Sequence, residues 1–327
     1  MVVQRTIFAA VCAGLFFFPP AMLRADDVES GIKTPTSLEL QITSVPEVKA
    51  LISQSLIFPF LQGSNPLIKD NNIATVFTVD LTPISTSGII EVIWTPAAFF
   101  LLSGGGRMGS GWPLAMGNGI GIKEPEDKNA PVPGPDDPPR KAKISGGAFD
   151  GFMWSAWGAG TLQFDLGAVI PGDWTHILFQ TRQEFRYSAH NRAGPDDFWL
   201  FEDDSGENKN GWKYRAGYVL GYLMPQSPLL NTIAFMAEME KNLYNSPGGD
   251  FWGEGLGRWI FSNALLFAIN PRLSATLVFQ LRTLRNFEIA DYNVRDYYHQ
   301  DFRFDSEATQ RYVVFHRVVV LLNYKIR

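Results

Sequence analysis

The chain has 327 residues, 13% aromatic and 19% charged, with 30 glycines, 21 prolines and one cysteine. Its formal charge of −5 at pH 7 lacks the basic excess that a nucleic-acid partner requires. The length admits two ordinary domains or one large β architecture, and the composition suits strands and turns better than long soluble helices.

Arg5, the apolar run Ile7 to Phe18, Pro19-Pro20 and the small Ala25 ahead of Asp26-Asp27 have the layout of a secretory signal occupying residues 1–25. The run is too short to span a bilayer, and an uncleaved signal anchor is the alternative. Cys12 lies inside it, so the exported chain, residues 26–327, has no thiol, no disulfide framework and no thiolate metal site. Loss of the signal removes Arg5 and Arg24 and no acid, taking the charge to 26 minus 33, or −7.

From there a period of two recurs. Leu38, Leu40 and Ile42 alternate with Glu39, Gln41 and Thr43. Glu47 to Gln54 reads as a short helix, and Ser55 to Phe60 as a continuation or replacement of the first strand. Ile73, Phe77, Val79 and Leu81 oppose Thr78 and Asp80. Ile90, Val92, Trp94, Phe100 and Leu102 share one face. The clearest alternation is Leu162, Phe164, Leu166, Ala168 and Ile170 against Thr161, Gln163 and Asp165. Further strands are read around Phe179, Tyr218, Phe235, Phe261 and Phe279, and the terminal stretch brings the number to ten. Thr82 to Ser87, Pro171 to Asp173, Pro225 to Pro228 and Asn270 to Arg272 are tight turns. Gly104 to Gly147, His190 to Gly211, Asn245 to Gly257 and Ile289 to Gln310 are long polar links. There, residues 104–148 are expected to form a long external loop with a disordered tip at Glu124 to Arg140, although Gly104 to Lys123 has room for one more hairpin and twelve strands. Short and long links alternate from the fourth strand onward, as in a membrane barrel with tight turns at one rim.

The last stretch, Arg311 to Arg327, places Tyr312, Val314, His316, Val318, Val320, Leu322, Tyr324 and Ile326 on one face. It resembles the closing strand of bacterial outer-membrane β-barrels, with Ile326 and Arg327 following the last aromatic. Small spirochaete barrels and OmpW-like proteins are the nearest likeness. The expected fold is therefore all-β: an antiparallel up-and-down transmembrane barrel of about ten strands, within a range of 8–12, with loops extracellular and both termini periplasmic. Membrane lipid and the barrel-assembly machinery are the implied partners. Trp154, Tyr187, Trp212, Tyr214, Trp259, Phe287 and Tyr312 fall at strand ends beside long links and read as an outer aromatic girdle, with Tyr324 at the opposite rim. His316 then faces lipid, unless a bulge turns it inward beside Arg317.

The polar face of these strands holds Asp80, Glu91, Asp165, Arg182, Glu184, Arg186, Lys213, Arg215, Glu238, Glu240, Arg282 and Arg317. Opposite charges on neighbouring strands either satisfy one another structurally or form a selectivity zone for a small hydrophilic solute. No cofactor is expected, since Gly104 to Gly106 and Gly117 to Gly119 lack the Lys-Ser/Thr of a phosphate loop. Asp203, Asp204 and Glu207, with Asp196 and Asp197 upstream, are a weak Ca²⁺ candidate without the full spaced ligand pattern. His190 and His299 lie in or near long loops without a nucleophile motif, so a surface hydrolase is the least favoured reading. A porin-like passage is expected. Its alternatives are an adhesin or structural barrel whose long loops meet an extracellular or host ligand, and a soluble periplasmic binding protein. The sequence leaves open the oligomeric state and whether residues 45–72 plug the lumen.

Overall fold

A computed structural model describes residues 32–44, 47–114, 117–125, 142–170, 172, 176–195, 197–202, 208–224, 227, 229–243, 257–287 and 308–326. Its strands are β1 (Thr36–Thr43), β2 (Glu47–Pro59), β3 (Asn72–Leu81), β4 (Ser85–Ala97), β5 (Phe100–Gly111), β6 (Pro113–Leu114), β7 (Gly117–Asn118), β8 (Ile120–Pro125), β9 (Ala142–Ser145), β10 (Met153–Asp165), β11 (Ile177–His190), β12 (Phe198–Phe201), β13 (Gly211–Leu223), β14 (Leu230–Asn242), β15 (Arg258–Ala268), β16 (Leu273–Phe287) and β17 (Ala308–Lys325). Twelve of them form one closed antiparallel barrel in the order β1-β17-β16-β15-β14-β13-β11-β10-β5-β4-β3-β2. The seam pairs Ser37 with Lys325 and Thr43 with Val319. Ile326, beyond the last aromatic, extends it by donating its N–H to the Thr36 carbonyl at 2.9 Å. A short sheet, β12-β8-β9, and the pair β6-β7 are not part of the wall.

Twelve strands replace the expected ten because two were hidden. Val48, Leu51 and Ile52 have the i, i+3, i+4 spacing of a helix, yet Glu47–Pro59 is β2, with Val48, Ile52 and Phe58 outward and Lys49, Ser55 and Ile57 inward. The second is β5, whose half from Gly104 to Gly111 read as loop because of its glycines. Those glycines make room: a Cβ on Gly105 would lie 2.5 Å from both the Ile90 carbonyl oxygen and the Trp157 ring. The single face expected from Ile90 to Leu102 accordingly breaks into β4 and β5, with a register shift between Trp94 and Ala97 where Pro96 has no N–H for the ladder. The alternation through Ile170 also stops early. Asp165 accepts a hydrogen bond from the Gly167 N–H, and Leu166–Ala168 turns as a 3₁₀ helix.

Inserting β2 reverses the direction of β3, and this moves a turn. The rim carrying both chain ends of the barrel, here the terminal rim, receives the links 60–71, 98–99, 166–176, 224–229 and 269–272. The opposite, far rim receives the four long links 112–152, 191–210, 243–257 and 288–307. It also receives the tight turn at Thr82 to Ile84, which the ten-strand reading put with the other tight turns.

In β17, Gln280 faces Arg317 while Leu281 faces Phe315, so His316 is the extra residue of a bulge. Parity reverses there. Val313 and Phe315 point out on one side of it, Val320 and Tyr324 on the other, and Val314 is not on the outward face predicted for it.

The outer surface is apolar around the ring: Ile52, Val79, Ile90, Leu162, Phe179, Leu220, Phe235 and Phe279, one on each of eight strands, are 45–53% exposed. Such a belt suits hydrocarbon and is untenable in water. The inner face is layered. Toward the terminal rim it is apolar, with Leu178, Val219, Met236, Leu266, Val278 and Val319 in one cluster and Ile57, Ala74, Val76, Ile93 and Leu101 in another. Toward the far rim it is charged.

The bulge makes a specific prediction. Phe315→Arg puts a charge into lipid and is expected to cost about 2–4 kcal/mol near mid-bilayer, while Val314→Arg costs clearly less. Equilibrium unfolding in lipid vesicles checks the order, and the reverse order would restore the unbulged register.

Candidate functional site

The charged half of the inner wall is built from residues that strand alternation turns inward, and its inter-strand ion pairs join strands one to three places apart in the ring. On β11 these are Arg182, Glu184 and Arg186. Arg182 Nη2 donates to Glu91 Oε1 on β4 at 3.2 Å and to Glu184 Oε2 at 2.9 Å. Arg186 Nε donates to Glu184 Oε1 at 2.7 Å, and its guanidinium lies 4.2 Å over the Trp157 ring of β10. Further round, Glu240 of β14 receives Lys213 Nζ at 3.5 Å, Arg215 Nε at 2.6 Å and Arg258 Nη2 at 2.7 Å. Arg317 of β17 donates to Gln280 Oε1 at 2.8 Å and to Glu47 Oε2 of β2 at 2.7 Å. The last group closes the circuit on β2, β3 and β5: Lys49 Nζ sits 3.1 Å from Asp80 Oδ2, and Arg107 Nη2 2.7 Å from the same oxygen. Arg107 Nε also donates to Ser87 Oγ at 2.8 Å.

Of the twelve inward residues read from the sequence, Asp80, Glu91, Arg182, Glu184, Lys213, Glu238 and Arg317 are buried in this wall, and Arg186, Arg215 and Glu240 are joined to its ion pairs. Asp165 stands apart at the terminal rim, where its Oδ2 lies 3.0 Å from His176 Nδ1. Arg282 is half-buried on β16, opposite Ile260. Glu47, Lys49 and Arg107 were missed with their strands; correct parity on β2 and β5 would have found them. Arg258 was missed by one residue, since its strand was begun at Trp259. Glu202 had no signal at all, because it lies in a link.

The aromatic residues at the far rim are in contact from strand to strand. Trp154 is 5.3 Å from Tyr187, Tyr187 is 5.5 Å from Trp212 and Tyr214 packs on Phe185 at 5.3 Å, while Trp259 stacks on Phe261 of its own strand at 5.8 Å. Tyr324 is exposed at the terminal rim. The side chains of Phe287 and Tyr312 lie outside the described residues, as do Asp203, Asp204, Glu207, His299 and most of Glu124 to Arg140. Asp197 accepts the Gly194 N–H, and no group of three metal-ligating side chains occurs among the described residues. His190 is buried, with Nδ1 accepting the Arg192 N–H at 3.2 Å and its ring 6.1 Å from Trp199.

Residues 47–59 belong to the wall; what crosses the mouth is the link from β11 to β13. Its base is knotted by Asn210, whose Oδ1 accepts from the His190 N–H and Trp199 Nε1 while its Nδ2 donates to the His190 and Ala193 carbonyls. Lys213 Nζ of β13 donates to Asn208 Oδ1 at 2.6 Å, and Asn208 pairs with Trp199. From there β12 runs fully buried, hydrogen-bonded to β8, with Phe201 against Gly109 on the inner face of β5. It ends at Glu202, whose side chain reaches Lys49 on β2 at 3.0 Å and Arg107 at 2.6 Å. β13 and β2 are six places apart in the twelve-strand ring, so this segment joins opposite sides of the wall.

No protein-family profile matches the chain, and no curated protein sequence matches it. Solved structures are similar to it only at low identity and low scores. A KdgM porin is 8% identical with a TM-score of 0.38, over 90% of this chain and 99% of the other. OmpT, an outer membrane protein of Vibrio cholerae, is 6% identical with a TM-score of 0.30, over 92% and 100%. The outer membrane phospholipase A from Escherichia coli is 10% identical with a TM-score of 0.24, over 98% of each chain. These neighbours are outer-membrane barrels and include neither an OmpW-like nor a spirochaete protein. At such scores none lends its role to this chain.

Proposed function

We propose that the chain is an outer-membrane β-barrel that passes small hydrophilic solutes through a narrow lumen lined by charges of both signs. The observation that carries this reading is the inversion of polarity across the wall, apolar all round outside and ringed by Arg–Glu and Lys–Asp pairs inside. The gathering of the long links at one rim supports an orientation with that rim outside the cell and the termini in the periplasm. Refolded protein is expected to give discrete unit conductances in planar bilayers. A barrel with native heat-modifiable gel mobility and no conductance would overturn the passage reading.

The wall chemistry sets the sign of a second prediction. Glu184 lies between Arg182 and Arg186, and Glu240 among Lys213, Arg215 and Arg258. Glu184→Gln or Glu240→Gln removes a negative charge and keeps the shape, so each is expected to shift preference toward anions by about twofold. Reversal potentials in a KCl gradient measure this, and a shift toward cations would contradict the placement of these groups along the path.

A surface scaffold acting through its far-rim links is the second reading. It is favoured by the segment across the mouth and by the apolar lining toward the terminal rim. Loss of binding to a host or matrix surface on removal of residues 126–141, with the barrel intact, would support it.

A further inference from the structure

Glu202 is not one more wall charge. Its carboxylate belongs to a link, yet it is gripped at both oxygens by groups from three different wall strands. Oε1 accepts from Arg107 Nη2 at 2.6 Å and from Ser85 Oγ at 3.3 Å, and Oε2 accepts from Lys49 Nζ at 3.0 Å. The donors are held from behind, because Asp80 touches both cations and Ser87 fixes the Arg107 Nε. This is a fork shaped for a carboxylate, with the occupant supplied by a link of the same chain.

We propose that Lys49, Arg107 and Ser85 form a carboxylate-binding subsite at the far mouth of the barrel, occupied by Glu202 as an internal ligand. A carboxylate-bearing solute exchanges with Glu202 there and frees the strand across the mouth. The role in passage rests on the proposed function; the exchange itself does not.

Charge balance dictates the class of ligand. Lys49 and Arg107 face Asp80 and Glu202, and the four side chains are 2–11% exposed. Asp80 is part of the wall and stays. Withdrawal of Glu202 alone therefore leaves this cluster one positive charge in excess in a water-poor site, which is costly. An incoming carboxylate restores the balance and the two-oxygen geometry; a neutral solute does neither. Glu202 sits at φ +59°, a left-handed conformation that residues other than glycine adopt with strain, and its N–H is held by the Gly119 carbonyl at 2.8 Å. The tip is also paired with β8, Phe201 facing Ile120, so its release takes β8 with it, while the other end remains tied to β13 through Asn208 and to the link base through Asn210.

Thiol accessibility of the full chain tests the exchange without relying on conductance. Leu200→Cys in a Cys12→Ser background puts the only thiol at a position that is 3% exposed. In folded barrels with native gel mobility, labelling by a water-soluble maleimide is expected to be slow in sodium chloride. At equal ionic strength, sodium succinate should make it about tenfold faster. Adding Glu202→Gln should give fast labelling in chloride alone, and Arg107→Gln should abolish the succinate response. Equal rates in succinate and chloride would overturn the proposal even if the barrel conducts. A succinate response in a barrel that does not conduct would keep the subsite and discard passage. Should Glu202→Gln fail to fold, the succinate comparison in the Leu200→Cys protein decides by itself.

Discussion

A backbone N–H or carbonyl left open in hydrocarbon has no water to turn to, and the pairing of β1 with β17 is what removes that liability here. Every other feature depends on this seam. Once the sheet is closed, strand alternation has only two destinations, lipid and lumen, so an apolar residue at one position forces its neighbour toward the interior. The outward Ile52, Leu220 and Phe235 and the inward Lys49, Val219 and Ala234 are consequences of the same pleat. The bulge at His316 shows how strictly the rule applies, since one extra residue in β17 exchanges the faces of the residues before it.

The lumen that results is not uniform. Its terminal half is lined with Val, Leu, Met and Ile, and its far half with carboxylates shared among two or more cations. Opposite charges held on rigid strands lose little side-chain freedom by pairing, and each pair relieves the cost of having turned a charge away from bulk water. Trp157 fits among them because Gly105, across the pair with β5, has no side chain to oppose the indole. The glycines that obscured β5 in the sequence are thus what lets the wall hold a large ring and an arginine above it.

The segment from Phe198 to Glu202 converts the wall into something with a mouth. Its four apolar side chains are buried and its end is anchored by charge, while rings at both ends lie under cations: Lys209 is 4.6 Å from the Phe198 ring and Arg107 5.0 Å from Phe201. Apolar packing orients the segment, and the Glu202 contacts fix its tip. Because β13 and β2 stand opposite each other, a short run of residues links the two sides of the wall at that height.

The sequence by itself determined that the chain is all-β and antiparallel, that its strands have a greasy face and a polar face, and that Asp80, Glu91, Arg182, Glu184, Lys213 and Arg317 belong to the polar one. Period-two alternation is a local property of the pleat, readable wherever one face is apolar and the other is not. It failed where both faces were alike or the spacing was ambiguous. In β2, Val48, Leu51 and Ile52 mimic a helix, and in β5 the Gly104 to Gly106 run carries no polarity to read. Tertiary structure alone decided the number of strands, the rim on which the Thr82 turn falls, the reversed parity before His316 and the carboxylate that Lys49 and Arg107 share with Asp80. Glu202 is 153 residues from Lys49 and 95 from Arg107, and only a closed ring with a link folded across it brings those three charges together.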